Sequence, residues 1–175
     1  MNKLIYPALV ATAIVSSAFT LVNNSDLLKV KDETYSVKLV SKKFEGVFKG
    51  LKSEIHFNES NLAESKINAS IDASSVNTGN GMRNKHARQG LGTDKFQNVT
   101  FVSTSIAKSG NGYEASGKLT IKDVTKDIKL PFTFTKNAEG GVFAGSFTVK
   151  PAEYNVTKSG TPETIEIQLN VPVTK

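Results

Sequence analysis

The chain contains no cysteine. Disulfides, thiolate metal sites, a cysteine nucleophile and a lipid-modified amino-terminal cysteine are therefore excluded, and the composition carries no record of redox compartment. Tryptophan is missing too, so an interior with large rings must be built from the ten Phe and four Tyr. The only histidines are His56 and His86. Two imidazoles so far apart make no zinc-binding spacing. Without a Gly-x-Ser-x-Gly elbow there is also no frame for a hydrolytic triad. Asp and Glu fall where solvated strand residues belong. We expect no catalytic residue, no metal and no cofactor.

Long apolar runs are scarce. The one at Leu4 to Val15, about twelve residues, falls short of the roughly 20 needed to span a bilayer. Pro7 interrupts it, Met1-Asn2-Lys3 gives it a basic start, and Ser16-Ser17-Ala18 follows. That is the layout of a secretory leader cut after Ala18. The expected organisation is a leader over residues 1–18, a polar linker over 19–26 and one domain over 27–175. Such a protein is periplasmic or secreted and has no stable membrane span. A length of 175 residues suits one domain with a substantial core.

The net charge of +6 does not point to nucleic acid. Lysines alternate with acids, as in Lys122, Asp123, Lys126, Asp127 and Lys129, and no basic run is interleaved with stacking aromatics. This is a solvated exterior.

What the chain does have is period-two alternation. Tyr35, Val37 and Leu39 share a face, as do Phe44, Gly46, Phe48 and Gly50, then Ile55 and Phe57, then Ile67, Ala69 and Ile71. Leu119 and Ile121 face Ile128, Leu130, Phe132 and Phe134 across a hairpin through Lys122 to Thr125. The last strand is the most regular, with Ile165, Ile167, Leu169, Val171 and Val173 against Glu166, Gln168 and Asn170. Glycines on an apolar strand face mark a bend or a close approach. Roughly eight long antiparallel strands with short connections either stack as a sandwich or close as an up-and-down barrel. Their length and glycine placement favour the barrel, wide enough inside for side chains or one elongated ligand.

One stretch breaks the pattern, Ser74 to Phe101, with a helical segment expected at Met82 to Leu91. Arg83 and Arg88, the only arginines, lie here with His86 between them. Gly79-Asn80-Gly81 ahead of the helix lacks the Lys-Ser/Thr of a phosphate loop. The arginines either fasten this cap to the strands or meet the anionic end of a ligand.

Several motifs in order carry a family likeness. They are Ile71 to Thr78, Arg83-Asn84-Lys85-His86, Phe96 to Thr104, Gly117 to Lys126 running to Leu130-Pro131, Gly145 to Thr148, and Ile165 to Leu169. Together they resemble the YceI-like family over nearly the whole mature chain. The resemblance implies a secreted, largely periplasmic, lipocalin-like barrel of eight antiparallel strands. It also implies an elongated apolar pocket that holds polyisoprenoids or other lipid-like amphiphiles without catalysis. The family's usual Arg-Asp-x-His-Leu is matched at Arg83 and His86, with Asn84 in place of the acid and Ala87 in place of Leu. Asn98 stands where Pro is usual.

The expected fold is thus an all-β, eight-stranded antiparallel up-and-down barrel with one short helical cap. The apolar pocket candidates are Phe44, Phe48, Ile55, Phe57, Ile67, Leu119, Phe132, Phe134, Ile167 and Leu169. Arg83 and His86 are the candidates for a polar ligand end or for fixing the cap. The expected partner is a lipid or isoprenoid-like small molecule. The alternative is a stress-response or protein-interaction module with a filled barrel. The sequence leaves a homodimer open, and alternation does not say which strand face lines the lumen.

Overall fold

Ten strand segments form one hydrogen-bonded sheet that closes on itself, in a computed structural model describing residues 27–32 and 34–175. The expected leader and linker lie outside the described residues. The segments are β1 (Leu27–Val30), β2 (Ser36–Val40), β3 (Glu45–Phe48), β4 (Lys52–His56), β5 (Lys66–Asp72), β6 (Asn98–Ser109), β7 (Gly112–Ile121), β8 (Val124–Lys136), β9 (Gly140–Val149) and β10 (Ile165–Thr174).

The register reduces ten segments to eight barrel staves. Val30 pairs with Val173 and Ser36 with Asn170, so β1 and β2 lie on the same edge of β10, and six steps of chain face three across the ladder. Likewise Leu28 pairs with Ile55 and Val37 with Phe48, so β3 and β4 continue one another. Each stave is antiparallel to its sequence neighbour, and the first closes on the last. This is the eight-stranded up-and-down barrel that the alternation predicts, with its first two staves each broken by a short irregular link.

The other differences are local. The β7–β8 turn is only Lys122-Asp123, because Lys122 takes a positive φ of 57° and reverses the chain in two residues. Leu62–Glu64, just ahead of β5, is a turn of 3-10 helix. The helical cap is α1 (Gly81–Leu91), one residue longer than expected at its start. Asn80 caps it, its side chain accepting from the Arg83 N–H at 3.0 Å.

The apolar faces point inward and the charged faces outward, the reverse of a lipid-embedded barrel. On β8, Phe132 is buried while Asp127, Lys129, Pro131 and Thr133 are exposed. On β10, Val171 and Val173 are buried while Gln168 and Asn170 are exposed. Ion pairs between outward residues of neighbouring elements, such as Lys118–Asp127 at 3.0 Å, Lys129–Glu114 at 2.9 Å and Lys126–Glu153 at 3.4 Å, decorate the outside.

One end of the barrel is plugged by rings. Phe57 sits edge-on to Tyr113, Phe132, Phe134 and Phe143, with centroid separations of 5.0 to 5.8 Å. Each such pair adds about 0.5–1.5 kcal/mol beyond the area it buries. At the other end, Val37, Leu39, Phe48, Ile71 and Val76 form a second cluster, and Ala87 and Leu91 of α1 pack onto it. The barrel is thus shut by aromatics at one end and capped by a helix at the other.

Candidate functional site

Between plug and cap the lumen is hollow. A cavity of about 550 Å³ runs from Phe132 and Phe143 at the plug up to α1. Its emptiness shows in the wall itself. Ile67, Ala69, Leu130, Phe147, Ile167 and Leu169 all face the cavity, yet each is only half-buried. An inward apolar side chain keeps accessible surface only where no partner fills the space beyond it. Ser53 is an exception in this greasy wall, its Oγ buried without a hydrogen-bond partner. At this size and composition the cavity falls in the range of small-molecule pockets.

The structure brings together eight of the ten predicted apolar residues. Phe44, Phe48, Ile55, Ile67, Leu119, Phe132, Ile167 and Leu169 all line the cavity. Phe57 and Phe134 do not. They have the expected inward parity, but they stand at the end of the barrel where staves converge on other rings, and they interlock there instead of facing open space. Arg83 and His86 both line the cavity, on the side of α1 turned to it.

The mouth is built by α1, the Lys43–Phe44 corner and the Lys158 to Pro162 loop. Met82, Arg83, His86, Ala87 and Leu91 line it from the helix, the spacing of one helical face. Asn84, which replaces the family's acid, serves the cap. Its Oδ1 accepts from both the backbone N–H and the hydroxyl of Thr78 at 2.8 Å, and its Nδ2 donates to Asn77 Oδ1 at 3.2 Å. An amide oxygen accepts these bonds as a carboxylate would, and its nitrogen adds a donor that an acid lacks. Asn77 in turn exchanges backbone hydrogen bonds with Val47 at 2.8 and 2.9 Å, stitching the cap to the wall. Gly46 permits that approach: a Cβ there would lie 3.0 Å from Asn77 O.

Arg83 does not fasten the cap through a carboxylate. Its guanidinium carbon lies 5.0 Å from the centre of the Phe44 ring, a cation–π contact at the rim. Arg88 points elsewhere, into a shallow surface hollow with Lys85 and Asp94. Strand alternation gave no notice of Lys43 and Lys158, because both sit in irregular links whose placement depends on how the staves close. Lys158 is held over the cap by a hydrogen bond from Nζ to Gln89 Oε1 at 2.5 Å.

A YceI-like domain model matches residues 19–173. The chain belongs to the YceI-like family. Its curated relatives include Protein YceI of Salmonella arizonae and of Salmonella newport, each 32% identical over 136 residues that cover 73% of this chain and 71% of the relative. Among solved structures, Burkholderia cenocepacia BcnA superposes with a TM-score of 0.77 at 27% identity, covering 84% of this chain and all of that one. The Campylobacter jejuni YceI protein gives 0.66 at 25% identity over 78% of this chain and 87% of its own. A domain from Saccharophagus degradans described as polyisoprenoid-binding shares the fold, with a TM-score of 0.60 at 16% identity, covering 85% and 97%. This YceI-like chain keeps the barrel of those proteins together with its own rim of cations.

Proposed function

We propose that this YceI-like protein is an exported, non-catalytic carrier that holds an isoprenoid-like or other single-chain amphiphile inside the barrel. The observation that carries the reading is the hollow, apolar lumen of about 550 Å³ that ends at a mouth under α1. Each methylene taken from water into such a space contributes about 0.8 kcal/mol. Some ten methylenes therefore supply about 8 kcal/mol, against the cost of immobilising the chain. The polyisoprenoid-binding description of the S. degradans domain agrees in kind, although the likeness to it is one of fold.

A barrel that served only as a protein-interaction module would have no use for empty apolar space, which costs stability for every missing contact. The test starts from full-length protein expressed with its leader and purified from the exported fraction. Intact mass should show loss of residues 1–18, and mass spectrometry of an organic extract should recover a long-chain lipid near one per protein. A clean extract, with no uptake of added lipid, would remove the carrier reading.

A further inference from the structure

We infer that the ligand carries an anionic head, a carboxylate or a phosphate monoester, seated at the mouth by Lys43, Arg83, His86 and Lys158. This rests on the carrier reading and adds the chemical class of the occupant. All four basic side chains line the cavity, and no Asp or Glu does. That one-sidedness is not a general habit of the protein, whose sequence holds 16 acids against 22 Lys and Arg.

On the outside of β7 and β8, several lysines are ion-paired. Lys118, Lys126, Lys129 and Lys136 each pair with a carboxylate, from Asp127, Glu153, Glu114 and Glu59 respectively. At the mouth, among the described residues, the cations take only uncharged partners. Arg83 lies over the Phe44 ring and Lys158 donates to the Gln89 amide oxygen. Lys43, Arg83 and Lys158, charges of one sign gathered without a counter-charge, repel one another, a cost that an anion arriving among them relieves. The first turn of α1 lines the same rim through Met82 and Arg83, adding the positive end of its dipole. A neutral alcohol or quinone head leaves this field unused. An acid with its tail in the lumen places its charge at the opening, where charge-assisted hydrogen bonds from Arg and Lys are strongest.

Delipidated full-length protein, loaded with the neutral fluorophore N-phenyl-1-naphthylamine, is titrated with two matched pairs. These are palmitate against hexadecanol, and geranylgeranyl monophosphate against geranylgeraniol. The expected result is that the anion of at least one pair displaces the fluorophore at about tenfold lower concentration than its alcohol, an advantage that shrinks as salt rises. The pair showing the larger advantage tells a fatty acid from an isoprenyl phosphate. In the K43Q/R83Q/K158Q variant the ratio should fall towards one, whereas Lys118→Gln on the outer wall should leave it unchanged. Equal displacement by anions and alcohols overturns the anionic head and leaves the carrier standing. A preference that survives the triple substitution overturns the seat assigned to Lys43, Arg83 and Lys158, and the inference with it. Displacement by none of the four overturns the carrier reading, and this inference with it.

Discussion

Glu59 shows how a single side chain ties the plugged end together. It accepts a hydrogen bond from Tyr113 at 2.9 Å and is ion-paired with Lys136. The Lys136 contact holds its carboxyl below the usual carboxylate range, burial works the other way, and the Tyr113 hydroxyl reinforces the lowering. A lowered carboxylate favours the folded state when ionised. Its contribution is present at neutral pH and is lost as pH falls through the folded-state value. Since Glu59 is partly solvated, that contribution is modest, within about 1 kcal/mol. Glu59→Gln should therefore unfold at lower urea than the parent at pH 7, with the gap closing as pH falls below the ordinary carboxylate range. A gap independent of pH would mean that the ion pair contributes nothing. Tyr113 has the opposite sense: burial first, then the bond to Glu59, raises its hydroxyl above the ordinary tyrosine value. Its contribution is present below that ordinary value and fades in strong alkali.

At the scale of elements, the cap depends on how α1 ends. Gly92 closes the helix in the left-handed conformation, φ 63° and ψ 42°, and its N–H donates to Gln89 O at 3.2 Å. A Cβ at that position would also lie 3.2 Å from the Phe96 ring. Gly92→Ala should cost about 1–2 kcal/mol in global stability, read from thermal or urea unfolding. An unchanged midpoint would show that the cap is not part of the cooperative unit. The helix was legible beforehand because Met82 to Leu91 lacks β-alternation and is bracketed by turn residues. The strands were legible because one face of each is apolar, as in Ile165, Ile167 and Leu169. What was not legible is that β1 and β2, and likewise β3 and β4, continue one another as single staves, since that follows from their register against β10 and against each other rather than from local preference. Phe57 and Phe134 escaped correct placement for a related reason. Parity fixes the side of the sheet on which a ring lies, whereas depth along the barrel axis decides whether it meets a cavity or another ring.

For the whole molecule, what matters is that the barrel closes without filling. Among the described residues, closure pairs the staves around the ring, and β3, which has a strand partner on one side only, is covered on the other by the Val47–Asn77 bridge. The rings at one end and the helix at the other confine an apolar space that the chain's own side chains leave empty. The family likeness already implied such a pocket from the motifs, but the rim of Lys43 and Lys158 beside Arg83 and His86 came into view only with the fold. The most direct measurement fills that space. Ala69, half-buried on β5 and paired with Ser53 and Phe101, faces the lumen, and Ala69→Phe puts a ring into it. This variant should keep the parent's circular dichroism and unfolding midpoint while its affinity for a long-chain lipid falls at least tenfold. Undiminished lipid binding by a folded Ala69→Phe protein would contradict the carrier reading, because the ligand would then have to lie outside the barrel.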